Sequence, residues 1–84
     1  MATTMWEVPA AAGRLAELLD WVLARIDPSA QVYRSSAGQD PAAGEDRVVV
    51  IDPTGQAASQ LAELPSELAA RPAHAWNFDT VRND

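Results

Sequence analysis

The chain contains no cysteine and no lysine, and it has a single histidine among its 84 residues. Without cysteine, disulfides, thiolate metal ligands and a thiol nucleophile are all impossible. One histidine leaves only mixed histidine–carboxylate metal sites, and no ligand spacing in the sequence supports one. We therefore expect no metal and no cofactor. A chain this short is also near the lower limit of independent stability, which favours association with a second copy.

Positive charge and long apolar runs are scarce as well. Twelve carboxylates against six arginines give a net charge of -6, which disfavours phosphate backbones and anionic lipids. No apolar run approaches the roughly 20 residues that cross a bilayer. The N-terminal "MATTMWEVP" lacks the basic start and apolar core of a signal peptide. The sequence thus predicts a cytoplasmic protein that binds neither nucleic acid nor membranes.

Several nucleotide-binding and catalytic motifs are missing too. There is no G-x-G-x-x-G, no P-loop and no G-x-S-x-G, so a glycine cradle for phosphate and a serine nucleophile elbow are disfavoured. The acidic stretch "SAGQDPAAGED" lacks the oxygen-ligand spacing of a calcium loop. The sequence alone does not identify a reaction.

The clearest element that is present is an amphipathic helix that ends at Asp27-Pro28. Its apolar residues recur at the spacing of one helix face. They are Leu15, Leu18, Leu19, Val22, Leu23 and Ile26. Trp21 lies off this stripe, between Glu17 and Arg25 at one-turn spacing. It either rests on the Arg25 side chain or contacts another chain.

Runs of β-branched and aromatic residues predict four strands, at residues 3–8, 30–36, 47–52 and 74–81. A second helix is predicted over 56–64, with Leu61 and Leu64 inward and one further turn that carries Leu68. Residues 37–46 hold only turn formers and small or polar side chains, which predicts a long loop. The continuous apolar run "RVVVID" (47–52) is typical of a strand that is buried on both faces.

This order of elements predicts a single α+β domain over residues 1–84 with the ferredoxin-like βαββαβ plan. Its four-stranded antiparallel sheet should have the first and third strands in the centre and the second and fourth at the edges. Both helices should cover one face of the sheet and leave the other face open.

From "TTMWEV" to "AWNFDTV", the element order, the short length and the acidic, alanine-rich composition resemble the dimeric α+β-barrel superfamily. This superfamily includes the small antibiotic-biosynthesis monooxygenases and many bacterial proteins. The resemblance implies that two sheets pack through their open faces into a homodimer. It also implies a pocket between the sheet and the helices of each subunit.

The segment "HAWNF" (74–78) holds the densest cluster of functional side chains. Alternation places His74, Trp76 and Phe78 on one face of the last strand and Asn77 on the other. Because the face under the helices must be apolar, we expect Trp76 and Phe78 to join Trp6 and Val8 in the core. His74 is then expected at the rim of the sheet. Asn77 faces away from Trp76, so the asparagine, tryptophan and histidine of haem-degrading relatives cannot be carried over.

Two functions remain open. In the first, a small apolar or aromatic ligand binds near Trp6, Tyr33, His74 and Trp76. The resemblance then implies monooxygenase-like chemistry, with His74 as the candidate proton acceptor. In the second, the chain is a non-catalytic interaction protein that binds itself or a partner through its open face or Trp21. A cavity of ring size favours the first function, and a fully filled core favours the second.

Overall fold

The structure is a computed structural model, and it describes residues 2–36, 45–79 and 81. The predicted order of elements is confirmed. The strands are β1 (Thr3–Pro9), β2 (Gln31–Ser35), β3 (Arg47–Asp52) and β4 (His74–Phe78). The helices are α1 (Leu15–Leu23) and α2 (Ala57–Gln60), and a 3₁₀ turn at Ser66–Leu68 follows α2. Residues 37–44, most of the predicted loop, lie outside the described part of the chain.

The four strands form one antiparallel sheet in the order β2-β3-β1-β4. The first and third strands are central and the second and fourth are at the edges, as the connectivity predicts. The fold is therefore a small α+β fold of the ferredoxin-like kind. No helix among the described residues is long and apolar enough to cross a membrane.

The core lies between one face of the sheet and the helices. On this face Trp6 pairs with Val50 and Val8 with Val48 across β1 and β3, and all four side chains are buried. The helical segments contribute five more buried apolar residues, Leu18, Val22, Ala57, Leu61 and Leu68, and Ala10 just after β1 is buried as well. Apolar burial of this kind is the main force that holds so short a chain together.

Helix α1 follows the predicted stripe except at its end. Leu18 and Val22 are fully buried, whereas Leu23 is 58% exposed. The inclusion of Leu23 in the stripe was wrong, because successive residues of a helix are rotated by about 100° and the side chain after Val22 points away from the sheet. Ile26 lies beyond the last helical residue and is half-buried.

The second helix is much shorter than predicted. Helix α2 is a single turn over Ala57–Gln60, and the chain then passes through turns to Leu64 and Pro65. The residue before a proline avoids helical geometry, which excludes Leu64 from the helix, but α2 already ends at Gln60 and the proline does not explain that. The inward positions of Leu61 and Leu68 are nevertheless confirmed, since both are buried.

The last strand faces the opposite way from the prediction. Trp76 and Phe78 pair with Met5 and Thr3 on the sheet face that the helices leave open, where Trp76 is 46% and Phe78 41% exposed. Their assignment to the core was therefore wrong. Asn77 takes the covered face, where the hydroxyl of the buried Thr4 donates a hydrogen bond of 2.6 Å to its side-chain oxygen. An apolar side chain at that position would leave the Thr4 hydroxyl without this acceptor.

Strand β3 is buried on one face only. Val48, Val50 and Asp52 are fully buried, but Val49 and Ile51 on the open face are only partly covered. The predicted burial of both faces is thus not met within one chain. Asp52 accepts hydrogen bonds from Thr54 and from the backbone N–H of Gln56, so its carboxylate is satisfied and organises the turn into α2.

Candidate functional site

The four residues predicted to bind a ligand do not meet in one place. Trp6 lies on the covered face and is 3% exposed. Tyr33, His74 and Trp76 lie on the open face, on the two edge strands. Tyr33 and His74 stand at opposite ends of one row across the sheet, and three strand spacings separate them by about 14 Å. A pocket lined by all four is therefore impossible in this subunit.

Two surfaces replace the single predicted site. The first is the open face, which we define as the side of the sheet that carries Thr3, Met5, Glu7, Gln31, Tyr33, Ser35, Arg47, Val49, Ile51, His74, Trp76 and Phe78. Its pairing places Gln31, Ile51, Met5 and Trp76 in one row across the four strands. The parallel row consists of Tyr33, Val49, Glu7 and His74. Half of these twelve side chains are apolar or aromatic, and the other half are polar or charged.

The open face carries few charged side chains, and their charges have opposite signs. An Arg47 nitrogen lies 3.8 Å from a Glu7 carboxylate oxygen, and Arg47 also donates a hydrogen bond of 3.1 Å to Glu45. His74 pairs with Glu7 across β4 and β1 and is exposed. The rim position expected for His74 agrees with this exposure.

The second surface is a groove of about 600 Å³ on the covered side, between β4 and the segment that contains α2 and the 3₁₀ turn. We call it the helix-side groove. Trp6 and Ala75 of the sheet line it, and Leu61 and Leu64 face them from the helical segment. Most of the remaining lining side chains are small, chiefly the alanines at 58, 62, 69, 70 and 73. Because α2 has only one turn, it leaves the covered face of β4 unfilled.

The polar lining of this groove is sparse and consists mainly of donors. Ser66 and Arg71 are the polar side chains in it besides the indole N–H of Trp6. Arg71 donates a hydrogen bond to Glu45, and this contact holds the pKa of the Glu45 carboxyl below its ordinary value, with a smaller contribution from Arg47. The same contact raises the pKa of Arg71. A carboxylate already rests on the guanidinium at this edge of the groove.

Trp21 contacts the Arg25 side chain, which is one of the two roles predicted for it. The guanidinium carbon of Arg25 lies 4.4 Å from the centre of the Trp21 ring, and Arg25 also donates to the Trp21 carbonyl oxygen. Trp21 is half-buried against the core rather than fully exposed. The contact with Arg25 is confirmed, while a role of Trp21 at an interface stays a prediction.

Most of the residues that line the helix-side groove could not be identified from the sequence. Leu61 and Leu64 were predicted to point inward, but Arg71 and the alanines around it carry no motif. Their only signal is composition, because "AARPA" (69–73) places one arginine among small residues at the entrance to β4. Nothing in the sequence shows that α2 is too short to fill the space above Ala75.

No three histidine, aspartate or glutamate side chains cluster as metal ligands within residues 2–36, 45–79 and 81. No model of a known protein family matches the chain, and no curated protein matches it significantly.

Proposed function

We propose that this protein binds a small apolar or aromatic ligand in the helix-side groove, without catalysing a reaction on it. The observation that carries the proposal is the groove itself. Its volume of about 600 Å³ is within the range of roughly 300–1,000 Å³ that is usual for small-molecule sites. Trp6 and the leucines of the helical segment give it the apolar lining that such sites use.

Binding without catalysis is favoured by the chemistry of the lining. General base catalysis needs a proton acceptor within hydrogen-bond reach of the substrate. The described residues that line the groove include no histidine and no carboxylate. His74, the predicted proton acceptor of a monooxygenase-like reaction, lies on the opposite face of the sheet. The geometry therefore gives little support to that reaction in this groove.

Ligand binding is tested by following the backbone and indole N–H signals of the protein by NMR during titration with naphthalene derivatives. We expect the signals of Trp6, Leu61 and Ala75 to shift together and to saturate. Shifts confined to Trp76 and Phe78 would place the ligand on the open face and contradict the proposal.

We further propose that a second copy of the chain covers the open face. Three of the five large hydrophobic side chains that are exposed in the described chain lie there, namely Tyr33, Trp76 and Phe78. Exposed apolar patches of this kind usually mark interaction sites. A dimer that buries them would also add the apolar burial that a short chain without cross-links otherwise lacks.

The charge distribution favours a second copy in spite of the net charge of -6. Within the open face the two ionised side chains, Glu7 and Arg47, have opposite signs and form an ion pair. Two such faces can therefore approach each other without bringing a net charge into the interface. Like charges in contact would oppose association.

The size of the open face indicates a weak dimer. Four strands about 4.8 Å apart, which are five to seven residues long, span a flat area of about 350 Å². This is well below the roughly 800 Å² per partner of standard stable complexes, even when side-chain relief is added. We therefore expect dimerisation at micromolar or higher concentration rather than a permanent dimer.

The dimer is tested by sedimentation velocity on Trp76→Lys, with Leu23→Lys as a matched control. Both substitutions place a charge at an exposed apolar residue, but Leu23 lies on α1, away from the open face. The parent and Leu23→Lys should sediment faster as concentration rises, while Trp76→Lys should remain at 9.0 kDa. Equal loss of association in both variants would contradict an interface on the open face.

A further inference from the structure

The polar groups of the helix-side groove restrict which ligand it can hold. The indole N–H of Trp6 has no acceptor within the described part of the chain, and no fully buried side-chain N or O atom there lacks a partner. The Trp6 N–H therefore retains some exposure, and the residue that carries it lines the groove. A buried indole N–H usually finds an acceptor. A ligand that excludes water from this N–H is favoured if it carries an acceptor.

Arg71 adds a second donor at the edge of the same groove. Its guanidinium has five N–H donors, and within the described residues Glu45 is its one acceptor. The Arg71 side chain is 60% exposed, so its guanidinium has room for a second acceptor beside Glu45. The contact with Glu45 shows that a carboxylate fits the reach of this guanidinium.

We propose that the ligand of the helix-side groove is an apolar or aromatic carboxylic acid. Its apolar body lies against Trp6, Leu61 and Leu64. Its carboxylate accepts hydrogen bonds from Arg71, either beside Glu45 or in its place. This inference rests on the proposed function, since it specifies the ligand class of the same groove.

The net charge of the chain does not decide against an anionic ligand. Charges on the surface are screened over about 8 Å at physiological ionic strength. The described lining of the groove contains one ionised side chain, and it is the cation Arg71. A cationic ligand would meet the like charge of Arg71, and among the polar side chains of the lining only the Ser66 hydroxyl could accept a hydrogen bond from it. An uncharged apolar ligand would leave the donors unused.

The experiment compares naphthylacetate with the uncharged naphthylacetamide, which has nearly the same shape. The indole N–H signal of Trp6 is followed by NMR, and it is assigned by elimination with Trp21→Phe and Trp76→Phe. Because hydrogen bonds to charged groups are stronger, we expect the acid to bind about tenfold more tightly than the amide. In Arg71→Gln this preference should disappear, because the ligand carboxylate then has no cation in the groove lining. Arg25→Gln, whose arginine lies on Trp21 outside the groove, should behave like the parent.

The other outcomes separate the two proposals. Equal affinity for acid and amide overturns the inference and leaves the proposed function intact. A preference for the acid that persists in Arg71→Gln also overturns it, because another group must then hold the carboxylate. If neither probe moves the Trp6 signal, both the inference and the proposed ligand-binding function fail.

Discussion

At the residue scale, two tryptophans that look alike in the sequence have opposite surroundings. Trp6 lies in the core at 3% exposure, and Trp76 lies on the open face at 46%. Trp6→Ala should lower the free energy of unfolding by about 3–5 kcal/mol, because it leaves a cavity under the helical segment. Trp76→Ala should cost about 1 kcal/mol or less in the monomer, as is usual for exposed positions.

Denaturant unfolding at low protein concentration measures both changes without a contribution from association. His74→Gln provides a neutral reference, because the exposed His74 should tolerate glutamine within about 0.5 kcal/mol. A Trp76→Ala protein that is destabilised as much as Trp6→Ala would show that β4 faces the other way.

Glu45 is also the residue that we expect to make the stability of the fold depend on pH in acid. The hydrogen bond from Arg71, and to a lesser extent that from Arg47, holds the pKa of Glu45 below its ordinary value of 4.5. The folded-state pKa is thus below the unfolded one, so this contribution is present above the unfolded pKa and is lost as pH falls through the folded pKa. We expect Glu45→Gln to be less stable than the parent at neutral pH and equally stable in strong acid.

Thermal unfolding from pH 7 downward measures this difference. The hydrogen bonds that Asp27 accepts from Ser29 lower the pKa of Asp27. Because Asp27 is present in both the parent and Glu45→Gln, both proteins lose its contribution to stability in acid. The gap between the parent and Glu45→Gln should therefore close below pH 4.5 while both proteins lose stability. A gap that stays constant with pH would mean that the Glu45 carboxylate does not contribute through its charge.

At the scale of elements, helix α1 gives the sharpest prediction. Leu18 is fully buried and Leu23 is 58% exposed, although both belong to the apolar stripe in the sequence. Leu18→Ala should lower the free energy of unfolding by about 2–5 kcal/mol, and Leu23→Ala by about 0.5 kcal/mol or less. Equal losses in the two variants would show that α1 is rotated or extends further than Leu23.

The same scale shows what could be predicted from sequence. The stripe of α1 was strong because it repeats over three turns, and the strand order followed from connectivity. The length of α2 could not be predicted, because "QAASQLAEL" (56–64) satisfies helix periodicity up to the residues before Pro65, whereas the helix ends at Gln60. Because α2 is short, it leaves the space that forms the groove. The groove could therefore not be predicted from the sequence either.

The face of β4 was unpredictable for a different reason. Alternation divides "HAWNF" (74–78) into two sets, but it does not say which set is covered. The rule that large apolar side chains are buried chose Trp76 and Phe78. In the structure, β4 pairs with β1 in the register that places Asn77 beside Thr4 on the covered face. Trp76 and Phe78 therefore lie on the open face. A one-residue difference in register exchanges every side chain between the faces of a strand.

At the scale of the whole molecule, the two faces of the sheet have different roles. The helices cover one face incompletely and leave the helix-side groove. The open face receives no cover from the described residues of its own chain. Since the two surfaces lie on opposite sides of the sheet, a dimer formed through the open face would keep one groove in each subunit.

The most direct test of this account follows the three tryptophan indole N–H signals by NMR while the protein is diluted from millimolar to micromolar concentration. The account predicts that the Trp76 signal moves with concentration, because a second copy covers the open face only at the higher values. The signals of Trp6 in the groove and of Trp21 on α1 should stay in place. A Trp76 signal that does not move, or concentration-dependent shifts at Trp6 or Trp21 instead, would contradict it.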